Sequence, residues 1–135
     1  LGDAERSARV YEWLLPFDGR NVSTHVALAF GATAGHLGKL ATAMGRFADA
    51  RRHFEDALEM HERMGERPMR ARFQESYARM LLRTDIASDT RRANVLLDDA
   101  IATADEIGMA RVADDARGAR RSAERRELHR RTGGR

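Results

Sequence analysis

The 135 residues predict an all-α protein built from antiparallel helix hairpins. Three observations carry that expectation. Apolar residues recur at helical spacing along most of the chain. One helical stretch returns, diverged, 43 residues further on. β-Branched residues are sparse, and the only two prolines, Pro16 and Pro68, fall between helical stretches, where a missing N–H does no harm.

The first helix is expected over residues 3–15, with Ala4, Ala8, Tyr11 and Leu15 on one stripe and Pro16 ending it. Asp18-Gly19-Arg20-Asn21 is turn chemistry. Residues 22–30 read either as a buried connector or as the start of the next helix. A second helix is expected over 32–44, with Leu37, Leu40, Ala41 and Met44 on one side. Gly31, Gly35 and Gly38 sit at helical spacing there. Each glycine costs about 1 kcal/mol relative to Ala in a helix interior, so close approach of another helix is the expected return.

The most regular stretch is 47–64. Ala50, Phe54, Ala57, Leu58, His61 and Met64 form one stripe between Gly45 and Gly65, with charged residues around the rest. A shift of 43 places Ala50 on Ala93, Phe54 on Leu97, Asp56 on Asp99, Ala57 on Ala100, Leu58 on Ile101, Met64 on Ile107 and Gly65 on Gly108. A helix over 89–107 follows, capped by Asp89 or Thr90. The partner of that second copy is expected over 69–83, with Phe73, Tyr77, Met80 and Leu81 inward. A last helix spans 109–127. Residues 1–127 are then one repeat domain, and 128–135 a basic flexible tail or linker. The chain opens at Leu1 inside a helix, which reads as a piece of a larger protein whose ends can pair as a homodimer.

Composition narrows the function classes. A 42% hydrophobic and 33% charged chain is expected to fold with a core rather than remain disordered. The absence of cysteine excludes disulfides and thiolate metal sites, and fits a reducing, cytoplasmic setting. No apolar run approaches the roughly 20 residues that span a bilayer, so no membrane contact is expected. The Asn21-Val22-Ser23 triplet reads as a chance match to a glycosylation acceptor.

No catalytic set emerges. Gly38-Lys39 is followed by Leu40, and Thr33 stands where a phosphate loop needs its first glycine. His53 and His61 lie eight apart rather than four and read as surface or groove histidines. Carboxylates sit beside arginines on charged helical faces. The expectation is a non-enzymatic protein with no cofactor and no metal. The last 27 residues carry nine Arg against four acids. Arg117, Arg120, Arg121, Arg125, Arg126, Arg130 and Arg131 therefore form an alternative basic patch for nucleic acid or an acidic surface. Interleaved acids and missing aromatics make nucleic acid the lesser reading for this chain.

Leu37-Gly38, Gly45, Ala50-x3-Phe54 and Ala57 resemble the tetratricopeptide pattern in their spacing, with Ala34 and Ala41 at the motif's aromatic positions and a longer repeat. Further words, among them Leu14-Leu15-Pro16-Phe17-x-Gly19-Arg20-Asn21, His53-Phe54-Glu55-x-Ala57-Leu58 and Tyr77-Ala78-Arg79-Met80-Leu81-Leu82, resemble the C-terminal helical-repeat region of large bacterial ATPase-containing regulators. These carry a LuxR-type DNA-binding domain or a nucleotide cyclase domain elsewhere. The resemblance implies tetratricopeptide-like antiparallel hairpins stacked as a short right-handed solenoid. It implies a sensing or scaffolding arm that contacts proteins, effectors or other domains of the parent chain. By position, the first helix of each pair would line a groove with His36, Lys39 and Thr42, then Arg72, Glu75, Ser76, Arg79 and Arg83. That net basic set suits an acidic protein or peptide.

Overall fold

A computed structural model describes residues 2–23 and 29–133. Among these residues the chain is helical apart from one short ribbon. Helix α1 (Gly2–Leu14) leads into a 3-10 turn (Leu15–Phe17), then β1 (Asn21–Ser23) and β2 (Ala29–Ala32). Helices α2 (Thr33–Ala43), α3 (Phe47–Met64), α4 (Arg67–Arg83), α5 (Ala87–Ile107) and α6 (Ala110–Gly133) follow.

The helices form where the spacing predicts, with ends within two residues of expectation through α5, but the stripes are not inward throughout: Ala4, Leu15 and Met64, expected on them, are exposed. Two regions differ. Of residues 22–30, expected as a connector or helix start, 24–28 lie outside the described residues, and the rest fall in β1 and β2, which pair antiparallel with Asn21 opposite Ala32 and Ser23 opposite Ala29. The Thr33 N–H donating to the Arg20 carbonyl at 2.8 Å ties that ribbon to the start of α2. The last helix runs to Gly133, so residues 128–133, expected as a tail, are helical. Arginine is a good helix former, and the thinning apolar stripe did not stop the helix.

The repeat is written most clearly at the helix ends. Gly45, Gly65 and Gly108 all take positive φ, at 75°, 68° and 78°. Behind each, the next N–H reaches five residues back: Arg46 to Ala41, Glu66 to His61 and Met109 to Ala104. One device, a left-handed glycine closing carbonyls that the helix leaves open, ends α2, α3 and α5. The α4 end uses Asp85 instead, at φ 56°. Asp89 and Thr90 are not caps, because α5 begins earlier, at Ala87. Asp89 accepts two bonds from Arg51, at 3.0 and 2.9 Å, and one from Thr84 at 2.7 Å, joining α3, the α4 end and α5. Burial pushes its carboxyl up, but those donors prevail and hold it below the usual range.

Consecutive helices from α1 to α6 all pack on each other, α1 against α2 included although the ribbon separates them in sequence; in addition, α2 touches α4 and α4 touches α6. The even-numbered helices thus lie side by side. Between them and the odd helices runs a core that includes Leu37, Phe54, Phe73, Tyr77, Met80, Leu81 and Leu97. The two glycines of α2, Gly35 and Gly38, serve this core, but they admit side chains rather than the close helix backbone expected, and residue 31 lies in β2 instead of the helix. A Cβ on Gly35 would stand 2.3 Å from the Phe73 ring, and one on Gly38 would stand 2.9 Å from the Phe54 ring. Phe54 also stacks on Tyr77, with ring centroids 5.4 Å apart.

Both α3 histidines correct the sequence reading, since His53 and His61 are fully buried. His53 Nε2 lies 2.7 Å from the Tyr11 hydroxyl, so it pins α1 to α3, while its Nδ1 lies 3.5 Å from Asp18 without a hydrogen bond. His61 stacks on Phe73 and bonds Glu66 at 2.9 Å. The other side of α1 exposes Val10 and Trp13, the latter 77% accessible.

Candidate interaction groove

The even helices bring six of the eight candidate groove residues together around one recess. Residues 72, 75, 76, 79 and 83 recur every three or four positions of α4, which sets them on one helical face. Lys39 and Thr42 occupy the corresponding face of α2. Lys39, Thr42, Glu75, Ser76, Arg79 and Arg83 line one recess of ≈ 360 Å³. His36 and Arg72 do not line it. The His36 ring packs edge-on against Phe73, with centroids 5.5 Å apart, and Arg72 is solvent-exposed.

That recess is continuous with two others through shared arginines. Arg79, Arg83 and Arg126 line a second recess of ≈ 430 Å³, together with Asp114, Asp115 and Ser122. Arg83, Ser122, Arg125, Arg126, His129 and Arg130 line a third of ≈ 720 Å³, with Asp85. Arg83 borders all three. The result is a trough crossing α2, α4 and α6.

The alternative basic patch therefore splits. Arg125 and Arg126 join the trough. Arg117 instead pairs with Asp105 of α5, and Arg120 pairs with Asp98 and Glu124, each at 3.1 Å. Arg121 lines none of the three recesses. Helical period explains the split, because residues 117 and 120 point toward α5 while 122 and 126 face α4. Asp85, Ser122 and His129 were missed as lining residues. The i, i+4, i+7 spacing of 122, 126 and 129 was the available signal, hidden by the early expected end of the helix.

Charge along the trough is graded. Glu75 is half-buried beside Arg79, with which it pairs closely. Burial pushes its carboxyl up and Asp115 adds to this, while Arg79 and Lys39 pull it down. Arg83 is fixed twice, donating to the Thr42 carbonyl at 3.2 Å and lying 5.3 Å from the Phe47 ring centre. Arg126 donates to the Leu82 carbonyl, one of those left open at the end of α4. Arg125 donates to Ser122 Oγ at 3.1 Å.

Among the described residues, no group of His, Asp or Glu could hold a metal ion, and no helix is long and apolar enough to cross a membrane. No protein-family model, curated protein or solved structure matches the chain.

Proposed function

We infer that the chain is a tetratricopeptide-like repeat module, non-enzymatic and part of a multidomain bacterial transcriptional or cyclase regulator. In this reading its trough holds an acidic segment of a partner protein or of another domain of the parent chain. The contacts of α4 with both α2 and α6, and the glycine closure shared by α2, α3 and α5, support the stacking of hairpins that such a solenoid requires. The observation that carries the function is the trough itself. Its basic side chains come from three helices, and Arg83 is shared by all three recesses of the trough. Side chains on rigid helices present a fixed charge pattern, which favours recognition of an extended peptide over non-specific contact.

The experiment is titration of a short polyglutamate peptide, followed by fluorescence anisotropy at low salt. Lys39→Glu with Arg79→Glu should weaken binding about tenfold or more, with the helical melt unchanged. Unchanged affinity in that variant would exclude the groove.

Contact with nucleic acid through α6 has less support. Arg117 and Arg120 are already neutralised by carboxylates of α5 and α6.

A further inference from the structure

Most arginines that bridge two elements of this protein meet a carboxylate. Arg51 meets Asp89, Arg67 meets Glu106, Arg70 meets Glu62, Arg117 meets Asp105 and Arg120 meets Asp98. The ≈ 720 Å³ recess departs from that habit. Four guanidinium groups line it, from Arg83, Arg125, Arg126 and Arg130, against the single carboxylate of Asp85. Among the described residues, Arg83, Arg125 and Arg126 have only neutral hydrogen-bond partners: the Thr42 carbonyl, the Ser122 hydroxyl and the Leu82 carbonyl. Such bonds orient a guanidinium without cancelling its charge. Arg130 alone is neutralised, by Asp85 at 2.5 Å, and it also donates to Thr90 Oγ1 at 3.3 Å.

We propose that this recess, between the last turn of α4 and the final turns of α6, binds a phosphoryl group, and that Asp85 is its built-in competitor. A phosphomonoester carries −1.5 to −2 charge near neutral pH and three strong acceptor oxygens. Oriented guanidinium forks match that geometry in a way that a lone carboxylate ligand would leave partly unsatisfied. Asp85 stands where one acceptor of the ligand would stand. Its left-handed backbone, at φ 56°, projects it from the α4–α5 turn into the cluster. Hydrogen bonds and charge from Arg130 hold its carboxyl below the usual range, and Arg126 contributes. An arriving phosphoryl group would displace Asp85 from Arg130 and bring the other three guanidiniums a counter-charge.

The ligand source rests on the groove reading: the group would be a phosphorylated side chain of the peptide in the trough. The anion site itself stands without that reading, and a free phosphate ester has the same chemistry.

The test titrates inorganic phosphate, a phosphoserine peptide and its unphosphorylated form, followed by backbone amide shifts and calorimetry at low salt. Phosphate should perturb residues 83–85 and 122–130. Asp85→Asn should tighten phosphate several-fold, because it removes the competing charge while Asn tolerates the left-handed conformation. Arg125→Glu should abolish binding, and its hydrogen bond to Ser122 within one exposed helical face makes it safe for folding. Tighter binding of the phosphopeptide than of free phosphate assigns the source to a partner. Equal binding assigns it to a small phosphate ester. Absence of localised shifts, or equal phosphate affinity in Asp85→Asn and the parent, would overturn the proposal. Lys39→Glu with Arg79→Glu lies outside this recess, so loss of polyglutamate binding there with no phosphate site leaves the groove standing and removes only this inference.

Discussion

The ring of Phe54 on α3 occupies the space that a side chain at Gly38 of α2 would fill, at 2.9 Å from an added Cβ. The same relation holds between Phe73 and Gly35, at 2.3 Å. Phe73 is confined between His36, edge-on, and His61, stacked, so its ring has little room to move. Overpacking costs roughly 1–3 kcal/mol, against a helix-propensity gain of about 1 kcal/mol for glycine to alanine. Gly35→Ala should therefore lower stability, and by more than Gly38→Ala does. Phe54→Ala should cost about 3–5 kcal/mol, as expected for a fully buried ring. Urea denaturation checks all three, and a Phe54→Ala cost below about 1 kcal/mol would contradict its core position.

Gly65 and Gly108 hold positive φ with nothing within 4 Å of an added Cβ. Their replacement is therefore a pure backbone test. Gly65→Ala and Gly108→Ala should each cost about 1–2 kcal/mol, the penalty of a left-handed residue with a Cβ. Thermal melts that leave either variant as stable as the parent would rule out the shared closure.

The buried histidines predict a pH response. Burial lowers the pKa of His53, and Arg52 adds to this while Asp18 opposes it. Burial also lowers the pKa of His61, with Glu66 opposing. A histidine whose folded pKa lies below its unfolded value binds more protons when unfolded, so stability must rise with pH through that window. Stability should be highest above about pH 7 and fall as pH drops from about 6.5, the ordinary histidine value. His53→Gln, which keeps an acceptor for Tyr11, should reduce the slope between pH 7 and 5 in denaturant titrations. An unchanged slope in both His53→Gln and His61→Gln would sink the assignment.

The split of the Arg-rich helix gives a functional contrast. Arg117→Glu with Arg120→Glu should leave binding of the polyglutamate peptide within about twofold, since both side chains face α5 rather than the trough. Arg125→Glu with Arg126→Glu should weaken it by about tenfold or more. Salt titration of duplex DNA provides the complementary check. If Arg117 and Arg120 carried nucleic-acid contacts, their reversal would flatten the salt slope by about one unit per phosphate lost.

By itself the sequence determined the helices and their order. A stripe such as Ala50, Phe54, Ala57 and His61 follows from period 3.6 alone, and Gly45, Gly65 and Gly108 mark their turns through local backbone preference. It also marked the face of α4 that carries Arg79 and Arg83, because one helix's geometry places residues four apart together. Only the tertiary structure decided what those faces meet. The burial of His53 and His61 depends on Tyr11, Asp18, Phe73 and Glu66, which no local pattern connects to them. The meeting of Arg83 with Arg126 and Arg130 depends on α6 lying beside α4. Whether an arginine is neutralised is likewise a matter of which helix lies across from it. Arg117 and Arg126 look alike in the chain, yet one meets Asp105 and the other a backbone carbonyl.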